Sequence, residues 1–134
     1  MAYKSFEDLE VWRRGCRLAV EIFNAFENCK RFTLRDQIER AGLSIPSNIA
    51  EGAERGSSKD FAHFLNFSKG SCGELRTQLY IARKLNAVDK GAFDALVRES
   101  REISAMLQGL RSSVLKKTSP KQNRTRRHHI KLKT

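Results

Sequence analysis

The stretch FDALVRESREISAMLQGLRSSV, residues 93–114, settles the secondary structure by its spacing. Phe93, Leu96, Ser100, Ile103, Leu107, Leu110 and Val114 follow one another at steps of three and four. A strand needs alternation by two, whereas this stepping keeps one stripe of a helix facing its neighbours. Three further segments repeat it. Leu9, Trp12, Cys16, Ala19, Phe23 and Phe26 mark a first helix, and Leu34, Ile38, Ala41, Ile45 and Ile49 a second. Phe61, Phe64, Leu65, Ser68, Cys72, Leu75, Leu79 and Ala82 mark a third.

The ends of these segments carry helix punctuation. Ser5 with Asp8, and Thr33 with Asp36, read as capping boxes opening the first two helices. Gly56 reads as a C-terminal glycine and Ser57 or Ser58 as the next cap. Pro46 falls inside the second helix, where its ring opposes the carbonyl of Gly42 and it has no N–H to donate. A kink or break is expected there, with Ser47 and Asn48 placed to satisfy freed backbone groups. Gly70 and Gly73, beside Ser68 and Ser71, suggest a close helix–helix approach in the third helix. Four amphipathic helices joined by short loops predict an all-α fold, an antiparallel up-down-up-down four-helix bundle over residues 1–115.

Charge divides the chain in two. Its 26 Lys and Arg against 15 Asp and Glu give +11. The excess is concentrated after the bundle, where Lys116, Lys117, Lys121, Arg124, Arg126, Arg127, Lys131 and Lys133 accompany no acid. Residues 116–134 are too polar to fold alone, so a disordered basic tail is expected. A dense, mobile array of Lys and Arg is what polyanion binding requires, which makes nucleic acid, RNA first, the expected partner. A solvated end is the plainer reading of the same run.

Several classes are excluded. No run approaches the roughly 18 apolar residues of a membrane span, and the tail, with no Phe, Tyr or Trp and a single leucine, lacks the apolar face of an interfacial helix. Glu7, Asp8 and Glu10 occupy the place of a signal peptide's apolar run, and three cysteines form no C-x-x-C pair. A cytoplasmic protein with reduced thiols is expected, Cys16 and Cys72 packing in the core. His63 reads as a surface histidine with no nucleophile and orienting acid beside it. Glu51, Glu54 and Glu74 lack metal-ligand spacing, and His128-His129 lack a third ligand. No enzyme activity, metal or cofactor is expected.

The run Arg40-Ala41-Gly42-Leu43-Ser44-Ile45-Pro46-Ser47-Asn48-Ile49-Ala50-Glu51-Gly52, with Arg55 after it, resembles a family signature. Phe6-x-x-Leu9-x-x-Trp12 and Gly70-Ser71-x-x-Glu74-Leu75-x-Thr77-Gln78-Leu79 belong to the same pattern. The family is that of bacterial four-helix bundle proteins encoded in intervening sequences of 23S ribosomal RNA genes. The accessory proteins of diversity-generating retroelements look like distant relatives. That resemblance implies a homo-oligomer, a pentameric barrel, with nucleic acid and a reverse transcriptase as partners. Val11, Ile22, Phe67 and Ile81, off the main seams, are expected to supply an apolar surface for assembly.

Within the signature, Arg40, Ser44, Pro46, Asn48, Glu51, Gly52 and Arg55 read as structural or interface residues. Glu51 and Arg55, four apart, favour an ion pair that leaves Arg55 partly neutralised. Nucleic-acid contacts are expected first from the tail and then from Arg13, Arg14 and Arg17 on the outer face of the first helix. Two functions follow. One is a non-enzymatic nucleic-acid-binding oligomer; the alternative is a scaffold docking a reverse transcriptase, with the tail aiding solubility.

Overall fold

The computed structural model describes residues 5–116. A single 3-10 turn, Phe6–Asp8, precedes α1 (Glu10–Ala25), α2 (Phe32–Glu54), α3 (Ser58–Lys84) and α4 (Lys90–Lys116). Helices adjacent in sequence pack on one another, α1 closes onto α4, and the backbones of the diagonal pairs stay apart. The fold is the all-α four-helix bundle that the stepping implies. Lys116, the first residue of the expected disordered tail 116–134, is still helical in α4; residues 117–134, the rest of that tail, lie outside the described residues.

The first helix departs from its expected start. Ser5 and Asp8 do form a capping box, but it caps the 3-10 turn. Leu9 then adopts an extended conformation, and α1 begins at Glu10. The inward face is rotated as well. Val11, Gly15, Leu18, Ala19, Ile22 and Phe26 are buried, Trp12 and Cys16 are half-buried, and Phe23 is exposed. Both series step by three and four; the aliphatic one faces inward because Gly15 brings α1 against Ile45 and Pro46 of α2. Val11 and Ile22 are thus core residues and not surface for assembly, whereas Phe67 and Ile81 are indeed exposed.

In α2 the predicted stripe is buried from Ile38 to Ile49, with Leu34 half-buried. Its start differs: Phe32 opens the helix after Arg31, with no side-chain cap from Thr33. The helix also runs through Pro46 without breaking. Side-chain donors serve the carbonyls around the proline. Ser44 Oγ donates to Ala41 O, Asn48 Nδ2 to Ser44 O and Ser68 Oγ to Ile45 O, each at 2.8 Å. The donor from outside the helix is buried Ser68 of α3, while Ser47 faces solvent.

The link to α3 is as expected. Gly56 has φ +87°, a conformation that favours glycine, and Ser57 Oγ accepts from Asp60 N at 3.1 Å. Close helix approach is found elsewhere than predicted. A Cβ on Gly70 or Gly73 would meet open space. A Cβ on Gly42 would lie 2.8 Å from Ile22 Cδ1, and one on Gly52 only 2.6 Å from Phe64 Cβ.

Candidate nucleic-acid interface

Of the cations expected to meet nucleic acid, the tail contributes only Lys116 to the described residues, exposed at the end of α4. Arg13 is exposed and donates from Nε to Glu7 O at 2.9 Å, and Arg17 is exposed. Arg14 does not stand free on an outer face. It bridges α1 and α4, donating from Nε to Glu99 Oε2 at 2.8 Å and from Nη2 to Glu99 Oε1 at 2.5 Å and Glu102 Oε1 at 2.6 Å. Those hydrogen bonds raise the Arg14 pKa and hold the Glu99 carboxyl below its ordinary value.

This bridge has a pH signature. A carboxylate whose pKa is depressed by folding contributes stability above its ordinary range, lost as the pH falls through the folded value. Arg14→Gln should therefore cost about 1 kcal/mol at neutral pH. In urea titrations the gap between variant and wild type should close at acid pH, where Glu99 is protonated in both. A gap that stays constant would show that the bridge adds no net stability.

The signature forms a structural block at the α2–α3 seam. Ser44, Pro46 and Asn48 are in the carbonyl network above. Arg40 is exposed beside Gln37, Ser44, Ser71 and Glu74 in a groove of about 200 Å³. Arg55 pairs with Glu51 at 2.9 Å and stacks over the Phe64 ring at 4.8 Å. Arg55 is therefore partly neutralised, as its spacing from Glu51 implied.

Further along this seam Phe32, Leu34, Gln37, Gln78, Ile81 and Leu85 line an open groove of about 560 Å³. Gln78 Oε1 is buried there without a donor among the described residues.

The opposite side of α3 carries a basic cleft that the sequence reading did not isolate. Lys59, His63 and Arg111 line one cavity between α3 and α4, of about 360 Å³. Lys69, Arg76 and Arg101 line a second of similar size. The signal was present: Arg101, Ser104, Gln108 and Arg111 step by three and four on α4, as do Lys69, Gly73, Arg76 and Tyr80 on α3.

His63 is exposed with its ring edge-on to Phe67, centroids 4.4 Å apart. Burial pushes the Cys72 thiol up to about 11, so it stays protonated and unreactive at neutral pH. Among the described residues no three His, Cys, Asp or Glu side chains gather as a metal site, and no helix is long and apolar enough to cross a membrane.

No curated protein matches the chain. Among solved structures it is similar to a protein of unknown function from the S23 ribosomal protein family of Bacteroides thetaiotaomicron VPI-5482. The TM-score is 0.71 at 26% identity, covering 75% of this chain and 96% of that one. The fold, the signature block and this likeness agree with a family match over residues 7–109, and the chain belongs to the 23S rRNA-intervening sequence protein family.

Proposed function

We propose that this protein is a non-enzymatic RNA-binding protein of the cytoplasm that acts as a self-assembled ring, most simply a pentamer. The observation that carries the reading is the segregation of charge: eight cations and no acid follow Leu115, beyond a nearly balanced body. Phosphate binding uses such an array, and the family name ties these proteins to an RNA.

Assembly is supported by apolar surface that a lone bundle would cover. Phe32 is 65% exposed beside Ile81 and Leu85 on the α2–α3 groove, and Val20 is 58% exposed beside Phe23 on α1. Two separate apolar patches suit a head-to-tail contact, which closes into a ring when the rotation permits. The orphaned Gln78 Oε1 would gain a donor from the neighbouring copy.

The intact chain should give a light-scattering mass several times 15.3 kDa. It should bind single-stranded RNA with a slope of log affinity against log salt to which the tail contributes about −3 per chain, half its cations being engaged. A monomeric mass would overturn the ring. An intact chain that binds neither RNA nor DNA at low salt would overturn the binding role and leave the scaffold, docking a reverse transcriptase or another protein.

A further inference from the structure

The ion pairs among the described residues engage Arg14, Arg35, Arg55 and Lys90. The cations of the α3–α4 cleft are in none of them. Lys69 Nζ donates to Gln108 Oε1 at 2.8 Å, Arg76 Nη1 to Ser100 Oγ at 3.2 Å and Arg101 Nη2 to the Tyr80 hydroxyl at 3.3 Å. Neutral acceptors orient these groups and leave their charge uncancelled. Arg111 Nε is buried with no acceptor among the described residues, a donor whose desolvation a bound anion would offset. Asp60 is the one carboxylate lining either cavity.

The cleft is also placed to continue the tail. α3 begins and α4 ends at one end of the bundle, so Lys59 and Arg111 stand where the chain leaves Lys116. The two cavities follow one another along α3 and α4, and Lys59 to Arg76 spans about 25 Å at 1.5 Å per helical residue. A stacked strand presents a phosphate about every 3.4 Å, so roughly seven nucleotides would fit along it. At its far end Tyr80, exposed and packed edge-on against Phe93 at 5.1 Å, offers a ring to a base.

We infer that the α3–α4 cleft is a binding track for single-stranded RNA, its phosphates held by Lys59, Lys69, Arg76, Arg101 and Arg111. The inference rests on the RNA-binding role proposed above and moves the folded part of the site from α1 to this cleft.

The test uses the full chain and a labelled 20-nucleotide oligouridine. A combined Lys59→Gln, Lys69→Gln and Arg101→Gln variant should bind at least tenfold more weakly at 0.1 M salt. Its salt slope should be shallower by about 2, from 0.7 per lost contact. Lys30→Gln, Lys84→Gln and Lys90→Gln remove as much charge at the other end of the bundle and should change affinity less than threefold. Asp60→Asn should tighten binding. With a 4-thiouridine-substituted strand, photo-crosslinks to the unaltered chain should fall on α3 and α4, Tyr80 included.

Wild-type binding with an unaffected triple variant, or crosslinks confined to α1 and residues 117–134, overturns the track alone. A wild-type chain that binds no RNA overturns the track and the RNA-binding role together.

Discussion

Ending the chain at Lys116 should weaken binding to single-stranded RNA roughly 100-fold at 0.1 M salt. Seven cations go with residues 117–134. If about half contact phosphate, the salt slope loses about 2.5, which near 0.1 M amounts to two orders of magnitude or slightly more. In a ring the loss compounds, because each copy contributes a tail to the same strand. Stability should not change: among the described residues the most C-terminal buried one is Val114, and the shortened chain keeps α4 through Lys116. Fluorescence anisotropy over a salt series, with melting temperature and mass measured on the same samples, separates these effects. A truncated chain that binds as tightly as the intact one would place the whole site on the bundle.

Gly52→Val should destabilise the bundle by about 3 kcal/mol, the upper part of the range for overpacking. The new Cβ would press on Phe64 Cβ at 2.6 Å, with Phe61 Cδ1 at 3.2 Å and Phe61 Cα at 3.4 Å. Two of those atoms are backbone or directly attached to it, so α3 itself must move away from α2. Gly52→Ala meets the same contact but recovers about 1 kcal/mol of helix propensity, so its loss should be smaller. Gly70→Ala and Gly73→Ala face open space and should each gain 0.5–1 kcal/mol, roughly. Guanidinium midpoints give all four values. A wild-type midpoint for Gly52→Val would refute the close α2–α3 approach, and a loss at Gly73 would mean that another copy packs there.

The bundle was legible because its stripes are long and regular, and Gly56 and Ser57 carry their chemistry locally. The errors arose where one signal fits two outcomes. Leu9–Trp12–Cys16 and Val11–Leu18–Ile22 are both helical stripes of α1, and Gly15 facing Ile45 and Pro46 decides between them. The Ser5 box has the right spacing yet caps a 3-10 turn, because Leu9 turns extended and buries its side chain. Thr33 has the right chemistry, but α2 begins at Phe32 before reaching it.

The interface was harder to read, since neutralisation depends on which helices meet. Nothing near Arg14 in sequence reveals Glu99, 85 residues on. Likewise the cations of α3 and those of α4, Lys59 with Arg111 and Arg76 with Arg101, share a cavity only once the two helices lie side by side. The signature was conspicuous as a string, yet its polar members mostly bond to one another and to the backbone around Pro46. A row of cations outside the ion pairs of the described residues lies along α3 and α4, where no motif points.

The closure of α1 onto α4 bears on how fast, and in what order, the chain folds. The other three helix pairings join neighbours along the chain, so each forms by closing a short loop. Such local topologies place bundles among rapid folders. The α1–α4 pairing alone must bring together the two ends, and its entropic cost is met only after the hairpins exist. The Arg14–Glu99 contact is thus expected to form on the native side of the barrier. Disrupting it should therefore accelerate unfolding and leave the folding rate almost unchanged, a split that the two arms of a urea chevron would read.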